Sequence, residues 1–266
     1  MCGRYELSSH PAVIALAFGL PFPPDIRPRY NIAPMQQVPI IRQNADGKRE
    51  LAQVRWGLVP RWAKDASIGA RMINARAETL STNGAFRNAF ARHRCLVPVN
   101  GFYEWRKTPS GKTPMHIGMP DARPFGLAGL CERWRSPDGD VLDTCAIVTT
   151  AACESLHDVH ARMPVIVPDE DHARWLDCAN ADADAADLLA AWSGEALHVY
   201  AVSSRVNAVR NDDAGLLEAV VADEAATPDS GATRATAPSR ARAVERDTAA
   251  PPADADADIP DQLSLL

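Results

Sequence analysis

The chain begins Met1-Cys2-Gly3-Arg4-Tyr5, and loss of the methionine would leave a free α-amine and a thiol on one residue. Such a 1,2-aminothiol condenses with an aldehyde. The amine forms an imine, and the thiolate then closes on the imine carbon to give a five-membered thiazolidine, a ring that an internal cysteine cannot make. A model α-amine titrates near ~7.7–8.0 and a thiol near ~8.5, so both nucleophiles are partly reactive at neutral pH. A small second residue also simply permits methionine removal, so the chemistry needs partners elsewhere in the chain.

Three polar clusters supply them. Asn74-Ala75-Arg76-Ala77-Glu78-Thr79 offers an amide and a guanidinium, and it reads as the opening of a helix, where anions are favoured. Helix capping by Asn74 or Thr79 is the plainer use of the same residues. In Asn100-Gly101-Phe102-Tyr103-Glu104-Trp105, Glu104 stands between two aromatic rings. Partial desolvation there raises a carboxyl pKa and makes an acid/base group, whereas on an alternating strand it is a surface glutamate. His160-Ala161-Arg162-Met163-Pro164 adds an imidazole and a guanidinium, although a lone histidine is usually structural.

The elements that must position these groups are short. Strand-like runs cover residues 38–41, 51–56, 94–99, 125–130, 144–150 and 197–202. Helical patterns cover Pro11 to Phe18, Glu78 to Ala91, Asn180 to Trp192 and the stretch after Ala151 that contains Glu154, His157 and His160. Without regular β-α-β alternation, the expected class is α+β, with a β-rich, mostly antiparallel core and flanking helices in one domain over residues 1–222. From Asp223 the composition turns to Ala, Asp, Pro, Thr and Arg, which cannot bury enough apolar surface to offset ordering entropy. Residues 223–266 are therefore expected to be a disordered acidic tail.

Charge is divided unevenly. Residues 1–107 hold 16 Lys+Arg against 7 Asp+Glu, residues 108–222 hold 8 against 18, and residues 223–266 hold 4 against 9. The net −6 thus hides a basic first part in which Arg and aromatic residues interleave, as at Arg29-Tyr30, Arg61-Trp62 and Trp105-Arg106. That composition suits phosphate contact plus base stacking. No run reaches the ~18 apolar residues of a membrane span, and no secretory signal is visible, so a cytoplasmic protein is expected. Six cysteines without a C-x-x-C spacing read as free thiols. The nearest ligand-like group, Cys153 with His157 and His160, is not a metal site on this reading, and neither metal nor cofactor is expected.

Taken together, Met1-Cys2-Gly3-Arg4-Tyr5, Arg29-Tyr30-Asn31-Ile32-Ala33-Pro34, Trp56-Gly57-Leu58-Val59-Pro60-Arg61-Trp62, Asn74 to Thr79, Pro98 to Trp105 and His160 to Pro164 resemble the SOS response-associated peptidase (SRAP) family of abasic-site processing proteins. The resemblance spans roughly residues 2–210. It implies that Met1 is removed and that Cys2 forms a thiazolidine with the aldehyde of an abasic deoxyribose in single-stranded DNA during the response to DNA damage. It further implies that Glu104 moves the proton that opens the sugar, that Asn74 orients the terminal amine, and that His160 assists proton transfer and reversal. Arg4, Arg76 and Arg162 are then the phosphate contacts, Asn31 a polar contact, and Trp62 and Trp105 the stacking platforms. For Trp62, core packing is an equally good reading.

The last residues, Ile259-Pro260-Asp261-Gln262-Leu263-Ser264-Leu265-Leu266, resemble the short peptide by which bacterial repair proteins dock on the replication sliding clamp. Gln262 would fill a polar recess and Leu263, Leu265 and Leu266 an apolar pocket, at the end of a flexible tether. A monomer at the replication fork is the expected state. Two rivals stand beside this reading. One is an N-terminal-nucleophile amidohydrolase of the class II glutamine amidotransferase kind, which also begins Met-Cys-Gly but carries a glutamine-site pattern not recognisable here. The other is a non-covalent single-stranded DNA-binding module in which Cys2 is incidental. Peptidase activity is restricted to removal of the chain's own Met1, because no triad or protease zinc motif appears.

Overall fold

The computed structural model describes residues 2–109, 111–178 and 185–221. In chain order its elements are β1 (Tyr5–Leu7), α1 (Pro11–Phe18), β2 (Arg29–Ile32), β3 (Gln37–Gln43), β4 (Arg49–Trp56), β5 (Asn74–Arg76), α2 (Arg87–Arg92) and β6 (Arg94–Val99). Then follow β7 (Gly101–Thr108), β8 (Gly111–Gly118), β9 (Phe125–Arg135), β10 (Val141–Ala151), β11 (Arg162–Pro164), β12 (Ile166–Val167), α3 (His172–Leu176) and β13 (His198–Ala201). The class is α+β with a mostly antiparallel core, as the sequence pattern suggests.

Two sheets organise these strands. One has the order β13-β8-β7-β1-β2. The other runs β11-β10-β4-β3-β6-β9-β12, and β9 pairs back to β10. Strands β10, β4, β3, β6 and β9 therefore close into a ring, which leaves no free edge within it. Closure needs one parallel contact, Thr144 to Arg55 and Cys145 to Trp56 between β10 and β4. All six residues of β6 are buried, and β9 is buried from Phe125 to Glu132, as expected of walls covered on both faces. Phe18, Ile40, Ile41, Trp56, Leu96, Leu127, Ile147 and Trp175 belong to the main core. A separate small core of Tyr103, Val202, Val206 and Leu216 takes in part of Tyr30, Trp105 and Tyr200.

Helix is scarcer than the sequence suggests. The run from Glu78 to Ala91 is interrupted. A 3-10 turn at Ala77–Thr79 is separated from α2 by a turn at Asn83-Gly84, where Asn83 Oδ1 accepts from the Ala85 amide at 2.9 Å, a local bond that competes with helix. After Ala151 there is only a 3-10 turn at Glu154–Leu156. The expected helix from Asn180 begins at residues outside the described ones, and its described part holds a 3-10 turn at Ala186–Leu189. Asn74 to Arg76 do not open a helix. They form β5, parallel to β10 with Asn74 opposite Ile147 and Arg76 opposite Thr149, because the pairing edge of β10 outweighs a weak helix-start signal.

Candidate active site

Cys2, Asn74, Glu104 and His160 come from four distant segments, and the two sheets bring them to one seam. In the five-stranded sheet, β1 lies against β7 with Tyr5 opposite Phe102, and the Tyr103 amide donates to the Arg4 carbonyl at 2.9 Å. That register draws Cys2, just ahead of β1, alongside Glu104. From the barrel, β5 carries Asn74 up one part of β10, while β11 pairs Arg162 with Ala151 farther along and sets His160 just before it. Across the seam, Asn74 Nδ2 donates to the Cys2 carbonyl at 2.8 Å. Asn74 Oδ1 is buried and has no hydrogen-bond partner among the described residues.

Burial sets the electrostatics. The Cys2 side chain is 0% exposed, and desolvation, with the Glu104 carboxylate adding, pushes its thiol up to about 12. Desolvation also raises the Glu104 carboxyl above its ordinary value, with the charge on His160 among the opposing influences. Glu104 therefore interacts with both the thiol and the imidazole. The Arg162 amide lies 3.0 Å from His160 Nδ1 and the Arg162 carbonyl 3.1 Å from it, so the Arg162 backbone holds that edge of the ring and orients it.

The proposed DNA contacts occupy different settings. Arg4 Nη1 donates to Asn31 Oδ1 at 2.7 Å and to the Val206 carbonyl at 2.6 Å, and its guanidinium lies 5.9 Å from the Trp105 ring centre. Trp105 is half-buried and bonds through Nε1 to Asn207 Oδ1 at 2.8 Å. Arg162 grips Glu78 through both guanidinium ends, at 2.8 and 3.0 Å, and donates to the Thr149 carbonyl at 2.6 Å. Arg76 is exposed on β5 opposite Thr149, the residue whose carbonyl Arg162 holds. Trp62 is 62% exposed, on the loop that leaves β4 through Gly57. Gly57 has φ +138°, and a Cβ there would meet the Gly69 carbonyl oxygen at 2.7 Å, so only glycine fits. Trp62 is thus surface rather than core, and its Nε1 bonds to the Gly84 carbonyl at 3.3 Å.

Asn31 departs from expectation. It is 1% exposed. Its Nδ2 donates to the carbonyls of Val206, Ala208 and Asn211, while Oδ1 accepts from Arg4. The side chain has no surface to offer a strand; it ties β2 to the 206–211 loop and aims Arg4. Glu78, which holds Arg162, and Asn207, which holds Trp105, are site residues that the sequence reading did not single out. Glu78 lies within a quoted motif, but nothing in the sequence gives its partner. No group of three or more His, Cys, Asp or Glu suited to a metal occurs among the described residues, and none of the described helices is long and apolar enough to cross a membrane. The peptide at Gln262 to Leu266 lies outside the described residues.

A family model described as SOS response associated peptidase (SRAP) matches residues 1–209. The chain belongs to the SRAP family. It is 42% identical over 223 residues to the abasic site processing protein YoqW of Bacillus subtilis, covering 82% of this chain and 99% of that one. It is 29% identical over 232 residues to YedK of Escherichia coli, another abasic site processing protein, covering 83% and 100%. The chicken (Gallus gallus) protein HMCES, of the same description, is 32% identical over 217 residues, 70% of this chain and 64% of its own. Among solved structures, a protein of Bordetella bronchiseptica superposes with a TM-score of 0.66 at 27% identity, covering 76% of this chain and 100% of that one. A Bacteroides thetaiotaomicron protein at 24% identity shares the fold, with a TM-score of 0.73 over 83% of this chain and 100% of that one.

Proposed function

We propose that this SRAP protein recognises abasic sites in single-stranded DNA and links itself to them covalently through Cys2 once Met1 is gone. The observation that carries the reading is the convergence of an amide and a carboxyl on Cys2, with an imidazole beside that carboxyl, at the seam of two sheets. Relatives described as abasic site processing proteins support it.

The reaction follows from the groups. An abasic deoxyribose is mostly a closed hemiacetal, and Glu104, whose carboxyl burial raises above its ordinary value, is suited to move the proton that opens the ring. The Cys2 amine adds to the aldehyde carbon and water leaves, giving an imine. The thiol then adds to the imine carbon, and its proton passes to the nitrogen. Asn74 fixes the Cys2 carbonyl through Nδ2, and its buried Oδ1 is the acceptor a freed amine would meet. His160, oriented by the Arg162 backbone, supports proton transfer beside Glu104 and reversal. Holding amine, thiol and aldehyde together gives ring closure the advantage of an intramolecular step.

Arg4, Arg76 and Arg162 are assigned to the flanking phosphates, Arg162 exchanging Glu78 for a phosphate oxygen, and Trp105 and Trp62 to base stacking. Removal of Met1 by the chain itself, and docking of Gln262, Leu263, Leu265 and Leu266 on a sliding clamp from a tail over 223–266, belong to the same reading, as does work on DNA in the cytoplasm by a monomer. A direct test compares an abasic single-stranded oligonucleotide with its borohydride-reduced form, which has no aldehyde. A slow band on a denaturing gel with the first alone supports the reading. The same band with both, or with neither, overturns it. Cys2→Ser, which keeps an amine but no thiol, should give a band only after reduction traps the imine.

A further inference from the structure

Behind the sheet that carries Cys2 and Glu104 lies a buried polar bridge that the reaction above does not use. Glu6 on β1 is 2% exposed and His116 on β8 is 6% exposed, and His116 Nε2 stands 3.4 Å from Glu6 Oε1. The two strands are not neighbours, since β7 runs between them. The bridge crosses β7 at Gly101, which is opposite Glu6 on one side and Gly118 on the other. A Cβ on Gly101 would lie 2.2 Å from His116 Nε2 and 2.4 Å from Cε1, so the imidazole fills the space that any side chain there would need.

The ring is wedged further. The Tyr103 ring meets it edge-on at 5.4 Å and the Tyr200 ring lies 5.0 Å away. Tyr103 in turn donates through its hydroxyl to the Tyr30 carbonyl at 2.8 Å and through its amide to Arg4. By strand alternation the side chains of Glu6 and Tyr103 lie on the face where Gly101 leaves its Cβ position empty, and those of Tyr5, Phe102 and Glu104 share the other. A displacement of β1 against β7 would therefore move Cys2 relative to Glu104.

We propose that Glu6 and His116 are positioning residues: their bridge over Gly101 locks β1, β7 and β8 in register and so fixes the distance between Cys2 and Glu104. The inference rests on the proposed crosslinking function for its kinetic test. In single-turnover reaction with an abasic single-stranded oligonucleotide, His116→Ala and Gly101→Ala each lower the rate at saturating DNA about tenfold and leave the half-saturating DNA concentration unchanged. Gly101→Ala does so without altering either partner. Glu6→Gln, whose amide oxygen still accepts from Nε2, keeps the wild-type rate. Glu6→Ala combined with His116→Ala is no slower than His116→Ala alone, because both remove one contact.

A lowered melting temperature with a wild-type saturating rate in both His116→Ala and Gly101→Ala makes the bridge merely structural and overturns the proposal, as does additive loss in the double variant. A readout without DNA separates this from the underlying function. The side-chain amide NMR resonance of Asn74, bonded to the Cys2 carbonyl, shifts in Gly101→Ala if the bridge sets the position of Cys2. An unmoved resonance overturns the proposal even if the wild-type protein forms no adduct, an outcome that by itself counts against the proposed function instead.

Discussion

Substitution of Asn74 gives the sharpest quantitative test of the site geometry. Its Nδ2 is 2.8 Å from the Cys2 carbonyl, and Cys2 is fully buried, so Asn74→Ala withdraws a donor from an acceptor that water cannot reach. Leaving a buried polar group unsatisfied costs about 1–3 kcal/mol. If that loss falls on the oriented, reacting arrangement, the crosslinking rate constant drops roughly 5- to 150-fold. Asn74→Asp keeps the shape but sets a carboxylate oxygen against the carbonyl oxygen, so it should fall at least as far. The assay is single-turnover crosslinking with protein in excess over an end-labelled abasic oligonucleotide, quenched in denaturant across a range of protein concentrations. Thr79→Ala, an exposed change in the same segment, serves as the control. An Asn74→Ala rate within twofold of wild type at saturation refutes the positioning argument. A rise in half-saturation alone would make Asn74 a DNA contact instead.

Three further outcomes follow from the same structure. Burial raises the Glu104 carboxyl above 4.5, so the native state holds that proton more tightly than the unfolded chain. Its contribution to stability is full below the unfolded value and is lost as pH rises through the folded one. Glu104→Gln should therefore gain in melting temperature relative to wild type as pH rises through that window, while crosslinking collapses; parallel melting curves would contradict this. Trp62→Ala removes a ring that is 62% exposed, so the melting temperature should hold while non-covalent affinity for single-stranded DNA weakens by about 1–3 kcal/mol, measured by fluorescence anisotropy. Asn31→Ala, by contrast, breaks three bonds from a buried side chain to carbonyls and the anchor of Arg4. It should cost at least about 1–3 kcal/mol in denaturant unfolding, and a neutral result would contradict the buried role.

What could be read from the sequence was what local pattern determines. The short apolar runs that became β3, β4, β6, β9 and β10 announced themselves, and so did α1. Cys2, Asn74, Glu104 and His160, which the fold brings together, could be singled out as candidates because each sits in a distinctive short context. Pairing was less accessible. The parallel contact between β4 and β10 that closes the barrel joins segments about ninety residues apart, and no periodicity reports it. Asn74 read as a helix start because its neighbours suit capping, yet the stretch of β10 that runs on past its pairing with β4 made it a strand. Asn31 read as a polar surface contact because an asparagine near an arginine and a tyrosine gives no sign of its depth. Glu6 was not singled out at all: nothing around Tyr5 and Leu7 in the sequence shows that the glycine at position 101 and the histidine on β8 enclose its side chain.

The claim on which the account depends is that the mature amino terminus offers nitrogen and sulfur together to one carbonyl carbon. Intact-mass spectrometry after incubation with an abasic single-stranded oligonucleotide tests it most directly, followed by peptide mapping. The account predicts a protein lacking the methionine, heavier by one oligonucleotide less one water, with the added mass on Cys2. A retained methionine, an unchanged mass, or an adduct mapped to a lysine would contradict it.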